Sequence, residues 1–311
     1  MAAEAKPLLA QRETRAGKRL KRLLRFGLVK VALALVRLLP LTVAARLGEA
    51  LGALASRLLR GERRKALESL AIAYPEASDA ERSALMQRCF GHLGRMVLEL
   101  ANFAQLDAAG WVDWPAEDRA VLDAALAPGK GVVFVTGHVG NWELLARHVG
   151  RAGYGAWVVG KETSDPRTTA LVDEMRAKGS LHTIWRGRPG AVREMLRALK
   201  GGHLLGFLID QDTSVQSVWV PFFGRPAKTP RAAAELALRT GATAMLGFCV
   251  RTPEGRYRIR MQAVETPHTD DGEADVVALT ATLTAGIEAA IRQTPEQWVW
   301  MHRRWKSLPE A

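Results

Sequence analysis

The chain has 311 residues, 48% of them hydrophobic and 24% charged, an ordinary globular composition that leaves room for one large core and excludes a disordered or fibrous protein. Its net charge of +12 lies entirely at the front: residues 1–65 hold 16 Lys/Arg against 4 Asp/Glu, while the remainder holds 28 of each sign. The two cysteines, Cys89 and Cys249, are far apart and form no C-x-x-C pattern, so nothing supports a disulfide framework and buried, inert thiols are expected.

A basic front on a neutral body points to an anionic partner, either nucleic acid or anionic lipid. From Lys18 onward, Leu20, Leu24, Leu28, Val31, Leu35 and Leu38 fall on one helical stripe, with Lys18, Lys21, Arg22 and Arg25 off it. Beyond Phe26 the helix is apolar nearly all round through Val29, Leu33 and Val36, more than a DNA-binding helix needs. Lys30, Arg37 and Arg46 interrupt each run before it reaches the roughly 18 residues of a spanning helix. Pro40 then breaks the helix before a second amphipathic segment from Leu41 to Leu59. The expectation is that residues 1–60 form an interfacial helical hairpin on a membrane surface, drawn to acidic headgroups at about 1 kcal/mol per basic residue. A core helix with a solvated basic face is the other reading of the same pattern. No small-residue cleavage site follows the apolar stretch, which argues against a secretory signal.

Residues 61–311 form the second expected unit. Helical patterns run from Arg63 to Ala73 and from Ser78 to about Phe103, separated by Tyr74-Pro75, with Ser78 and Glu81 placed for a capping box. The texture then changes to strands at Gly131–Val135, Ala156–Val159, Leu204–Ile209, Ala244–Val250 and Arg256–Gln262. Helices alternate with them at Trp142–Val149, Asp165–Lys178, Ala191–Leu199 and Pro230–Arg239, and a closing helix runs from about Ala274 to Gln293. This alternation predicts an α/β core, a mostly parallel sheet flanked by helices, with the helical front packed on it.

The first strand runs directly into Thr136-Gly137-His138-Val139-Gly140-Asn141-Trp142-Glu143. Gly137 and Gly140 permit a tight turn, and Asn141 is a good N-cap that sets Glu143 in the first helical turn. Open α/β sheets bind ligands at the carboxyl ends of their strands. His138 is therefore the candidate general base and Glu143 its candidate partner, fixing the tautomer through Nδ1 and leaving Nε2 to take a proton. A helix cap is the alternative use of such a histidine. No G-x-S-x-G elbow and no cysteine near His138 offers a covalent nucleophile. His148 completes a possible metal trio with His138 and Glu143, but spacings of five and five do not align them on one helix face, so no metal is assigned.

The GHVGNWE segment resembles the H-x-x-x-x-D/E motif of glycerolipid-type acyltransferases and, more narrowly, the late acyltransferases of lipid A biosynthesis. Ile209-Asp210-Gln211-Asp212, Val220-Pro221-Phe222-Phe223-Gly224-Arg225-Pro226 and Gln297-Trp298-Val299-Trp300-Met301-His302-Arg303-Arg304-Trp305-Lys306 resemble that family in the right order. The similarity covers most of the chain.

The resemblance implies a glycerolipid acyltransferase-like fold at the cytoplasmic face of an inner membrane. The implied reaction moves a fatty acyl group from an acyl carrier protein thioester to a hydroxyl of a lipid A precursor, without metal or dissociable cofactor and without nucleic acid as partner. The acceptor of that family carries phosphates and carboxylates. Lys161, Arg186, Arg188 and Arg225 are thus candidate substrate-binding cations. Asp210 and Asp212 are candidates either to contact the acceptor sugar or to order Arg225. Arg303 and Arg304 suit phosphate binding and a structural role with Trp300 and Trp305 equally. Lys161 stands where the family commonly has arginine, which keeps the charge but loses the bidentate fork. Phosphatidylinositol mannoside acyltransferases share the base motif with another acceptor and acyl-CoA as possible donor, so a different glycolipid is the alternative. Thioester hydrolysis and a catalytically silent membrane-binding homologue complete the set.

Overall fold

The computed structural model describes Leu23, Gly27, Leu28 and residues 30–309. Of the amphipathic front, Lys18, Leu20, Lys21, Arg22, Leu24, Arg25, Phe26 and Val29 lie outside the described residues. Residues 30–36 are helical and the chain turns before Pro40. That segment is tied to the body by Arg37, whose Nε donates to the Ala101 carbonyl at 3.1 Å, and by Gln105, whose amide donates to the Arg37 carbonyl at 3.0 Å.

Helix α1 (Leu41–Leu58) is amphipathic in an unusual sense. Its buried face is Leu41, Ala44, Ala45, Gly48, Gly52 and Ser56, whereas Val43, Leu47, Leu51, Leu54 and Leu58 are exposed. After α2 (Arg60–Ala73) comes α3 (Asp79–Ala101), opened by the expected capping box between Ser78 and Glu81. The small residues of α1 dock on α3 at backbone contact distance. A Cβ on Gly52 would sit 2.0 Å from the Phe90 carbonyl oxygen, and one on Gly48 would sit 2.5 Å from that of Gly94.

A short helix α4 (Phe103–Ala108), strand β1 (Val112–Asp113) and helix α5 (Ala116–Leu126) lead into the sheet. The remaining sheet strands are β2 (Val132–Thr136), β3 (Ala156–Gly160), β4 (Leu181–Trp185), β5 (Leu204–Leu208), β8 (Thr243–Arg251) and β9 (Tyr257–Val264). Their order is β1-β9-β8-β2-β5-β3-β4, parallel throughout except for the β8–β9 pair. Between them run α6 (Trp142–Arg151), α7 (Pro166–Ala177), α8 (Ala191–Lys200), α9 (Ala232–Thr240) and α10 (Gly272–Gln293). Strands β6 (Ser217–Phe222) and β7 (Arg225–Pro230) form a separate antiparallel hairpin.

The α/β expectation and its mostly parallel sheet hold. The elements that the periodicity did not predict are α4, β1, β4, α5 and the β6–β7 hairpin. Strand β4 reads LHTIW, too polar to stand out, and β6 carries Pro221, which demotes a strand pattern. Side chains of β2 alternate between two core layers. Val132 and Phe134 pack with Leu144 and Leu145 of α6 and Leu122 of α5, and Val133 and Val135 pack with Leu279, Leu283 and Ile287 of α10. By length and composition α10 could cross a membrane, yet Leu279, Leu283, Ile287 and Ile291 are fully buried in this layer.

Candidate active site

Strand β2 pairs in parallel with β5 at an offset of 72 residues, from Val132 opposite Leu204 to Thr136 opposite Leu208. Both chains continue past their last ladder bond in the same register, which sets His138 against Asp210 at that same separation of 72. The backbone N–H of His138 donates to Asp210 Oδ2 at 2.7 Å, and its Nδ1 meets Oδ1 at 2.8 Å. Trp298 Nε1 donates to Oδ2 at 2.8 Å. Gly137 is required here, because a Cβ would lie 2.8 Å from Ile287 Cγ2 and 3.1 Å from Asp210 Oδ2.

Asp210 is fully buried and His138 about 20% exposed at the side chain. Burial by itself raises a carboxyl pKa. The His138 charge and the hydrogen bonds from His138 and Trp298 outweigh it, and Asp210 is held well below the usual carboxylate range. An ionised carboxylate on Nδ1 fixes the tautomer and makes Nε2 the atom for proton transfer.

The expected His138–Glu143 pairing is therefore corrected. Asn141 does cap α6, accepting from the Leu144 N–H at 3.0 Å, and Glu143 does sit in the first helical turn. Its carboxylate, however, is taken by Arg176 of α7, with Nη2 at 2.6 Å and Nε at 3.1 Å. A bidentate guanidinium pair holds the carboxylate toward α7 while Asp210 occupies the Nδ1 side of the ring.

The turn itself is pinned from several elements. Gly140 takes φ +62° and packs where a Cβ would be 2.1 Å from the Cys249 carbonyl oxygen. Its N–H donates to the Gln297 carbonyl at 2.9 Å, and the Asn141 N–H donates to the Cys249 carbonyl at 2.8 Å. The ring of His92, on α3, lies 3.2 Å from the Gly140 carbonyl oxygen. Burial drives the His92 pKa down to about 4, so it stays neutral.

The carboxy-terminal segment closes the site's other side. The ring centroids of His138 and His302 lie 5.2 Å apart, and Gln211 Nε2 is 2.6 Å from His302 Nε2 and 3.1 Å from His138 Nε2. The His302 pKa is pushed down to about 4, chiefly by burial and then by the charge of His138. Arg304 is fully buried and serves structure: its Nη1 donates to the Lys228 carbonyl at 2.6 Å, Nη2 donates to Thr229, and the group stacks over Phe222. Arg303 lies 4.0 Å from Glu68 at the surface.

His138 opens onto a cleft of about 550 Å³. Of the sequence-assigned cations, Lys161 and Arg186 line it, with Arg186 Nη1 3.4 Å from Thr213 Oγ1. Arg188 lies at the surface beside Glu162, with Nε at 2.9 Å from its carboxylate. Arg225 is exposed at the tip of the β6–β7 hairpin. Asp212 does not order Arg225. It is buried and accepts from the Ser307 N–H at 2.9 Å, anchoring the carboxy terminus. Sequence reasoning missed Gln211 and His302 as neighbours of His138, Trp298 as a donor to Asp210, and Arg176 as the partner of Glu143. Three of these stand in the segments that carry the resemblance, and Arg176 gave no signal. The cysteines are both free and buried, and burial raises both thiols, that of Cys89 to about 12.

A model of the bacterial lipid A biosynthesis acyltransferase family matches residues 15–307. The lipid A biosynthesis lauroyltransferase of Escherichia coli K12 is 29% identical over 286 residues, covering 89% of this chain and 90% of that protein. The lipid A biosynthesis myristoyltransferase of the same organism is 25% identical over 81% of this chain and 77% of its own. A phosphatidylinositol mannoside acyltransferase of Mycobacterium tuberculosis is 25% identical over 70% of this chain and 67% of its own.

Proposed function

The chain belongs to the bacterial lipid A biosynthesis acyltransferase family, and on that premise we propose that it moves a fatty acyl group from an acyl carrier protein thioester to a hydroxyl of a lipid A precursor. The observation that carries the mechanism is the His138–Asp210 pair, set by the register of two neighbouring parallel strands. Nε2 of His138 takes the proton from the acceptor hydroxyl as its oxygen attacks the thioester carbonyl. Collapse of the tetrahedral species re-forms the carbonyl and breaks the C–S bond, and the imidazolium returns its proton to the thiolate. Asp210 stabilises that imidazolium, and general-base assistance of this kind contributes roughly 10²–10⁴ in rate. Lys161 and Arg186, in the cleft, hold the anionic groups of the acceptor. Glu143 and Arg176 join the first turn of α6 to α7 along the cleft wall.

The reaction takes place at the cytoplasmic face of the inner membrane. The exposed row of Val43, Leu47, Leu51, Leu54 and Leu58 on α1 supports contact with the bilayer, and the excess of basic residues in 1–65 supports attraction to acidic headgroups.

Purified full-length protein given acyl carrier protein or CoA thioesters, with a lipid A precursor or a phosphatidylinositol mannoside as acceptor, tests the reading. Carrier-protein-dependent ester formation on the lipid A precursor, abolished by His138→Ala in a folded protein, is the expected result. Transfer only from acyl-CoA to the mannoside would move the assignment to the second acceptor class, which the mycobacterial relatives favour. Release of free fatty acid that added acceptor cannot divert to ester would make the protein a hydrolase. No turnover with any pair would leave a membrane-binding homologue.

A further inference from the structure

The attack described above creates negative charge on the thioester oxygen, and acyl transfer is fast only where a fixed donor meets that charge. Several backbone donors around the base are already engaged: His138 N–H to Asp210, Gly140 N–H to Gln297, Asn141 N–H to Cys249 and Leu144 N–H to Asn141. We propose that the side-chain amide of Gln211 is the oxyanion donor of this site and that His302 is the positioning residue that aims it; this rests on the acyl-transfer reading.

Gln211 follows Asp210 directly, so the strand register that delivers the partner of His138 also delivers this carboxamide to the cleft wall. Its nitrogen carries two hydrogens. One is directed to His302 Nε2 at 2.6 Å. His302 can accept it because burial keeps the ring neutral, its pKa near 4, and a neutral imidazole offers one lone pair. The second hydrogen is left toward the His138 ring, the amide nitrogen lying 3.2 Å from its Nδ1 and 3.1 Å from its Nε2. Nε2 is the atom that receives the hydroxyl proton. The attacked carbon is one bond from the hydroxyl oxygen, so its carbonyl oxygen comes within hydrogen-bond reach of a donor placed there. His302 is itself fixed between the fully buried Trp300 and Arg304, and its carbonyl accepts from Ser69 at 3.4 Å. An acceptor on an anchored segment favours one orientation of the amide, which is what preorganised stabilisation requires.

In the step, the hydroxyl O–C bond forms while the carbonyl π pair moves onto oxygen, where the Gln211 N–H meets it. The pair returns as the C–S bond breaks. Gln211 neither gains nor loses a proton, so its contribution is separable from that of the base.

The test uses the full chain and three readouts. Gln211→Leu is expected to lower kcat by about 10²–10³-fold while leaving KM for both substrates and the pH profile of kcat unchanged. His302→Ala is expected to lower kcat less, with His302→Gln, which keeps an acceptor, recovering part of the loss. In the His138→Ala background, where no turnover occurs, the infrared carbonyl stretch of a bound acyl thioester should lie at lower frequency with Gln211 present than in Gln211→Leu or the isosteric Gln211→Glu. This last readout needs binding only, so it reports even if kcat measurements fail. Undiminished kcat in Gln211→Leu, a loss recovered by raising pH, or an unshifted carbonyl stretch overturns the proposal. A wild-type protein that transfers no acyl group from any thioester overturns the acyl-transfer reading instead.

Discussion

A carboxylate with no solvent contact costs several kcal/mol to bury as a charge unless hydrogen bonds and a cation replace its water. Asp210 meets that demand with two bonds from His138 and one from Trp298, so its charge is committed to the imidazole. Asp210→Asn should accordingly lower kcat by roughly 10³–10⁴-fold, in the manner of a lost imidazole-orienting carboxylate. Glu143→Gln, which leaves the His138–Asp210 pair intact and loosens Arg176, should cost far less. Steady-state turnover of the two variants checks the assignment, and equal losses would return Glu143 to the base. The buried histidines set an acid limit. His92 and His302 have pKa values pushed from 6.5 down to about 4, so the unfolded chain binds more protons than the folded one between those values. Their stabilisation is complete above about pH 6.5 and is lost as pH falls toward 4, at most about 3 kcal/mol for each. Urea midpoints measured between pH 4 and 7 should fall accordingly, and His92→Gln should flatten the slope. The contribution of Asp210, whose pKa is lowered further, disappears only in stronger acid.

At the scale of elements, the docking of α1 on α3 depends on residues with no side chain to speak of. Gly48 and Gly52 on α1 and Gly94 on α3 let the backbones touch. The seam leaves no room for the leucines of α1, and they are displaced to the outer surface. Gly52→Leu must drive the helices apart or distort them, at about 1–3 kcal/mol of overpacking. Its thermal midpoint should drop by several degrees, and limited proteolysis should cut near α1 first. The same reasoning explains why the amphipathic pattern from Leu41 to Leu59 was legible in the sequence while its partner was not. Periodicity shows that a helix has two faces, but both faces of α1 are apolar in part. Only the packing decides that small residues go inward.

For the whole molecule, the proposed bilayer contact has its described part in the outward leucines of α1. Replacing Leu47, Leu51, Leu54 and Leu58 together by Gln leaves the glycine seam untouched. This variant should keep turnover on detergent-dispersed acceptor while losing most binding to anionic vesicles. Vesicle flotation decides it, and undiminished binding would place the membrane contact elsewhere.

The sequence by itself determined the α/β class, the strand-to-helix turn that carries His138, the caps at Ser78 and Asn141, and the family, because each depends on short-range pattern or on ordered motifs. The resemblance nominated Lys161, just past a strand end, and Arg186, in the WRGRPG loop, and both line the cleft. What only the tertiary structure decided is which carboxylate serves the base. Glu143 is five residues away and Asp210 is 72 away. Sequence distance favours the first, but parallel strands in register bring distant strand ends side by side, and a guanidinium from another helix removes the near candidate. The aromatic carboxy-terminal segment illustrates the same limit. Its motif was readable, yet the roles of Trp298, His302 and Arg304 exist only once the chain has returned to cover the sheet end where His138 stands.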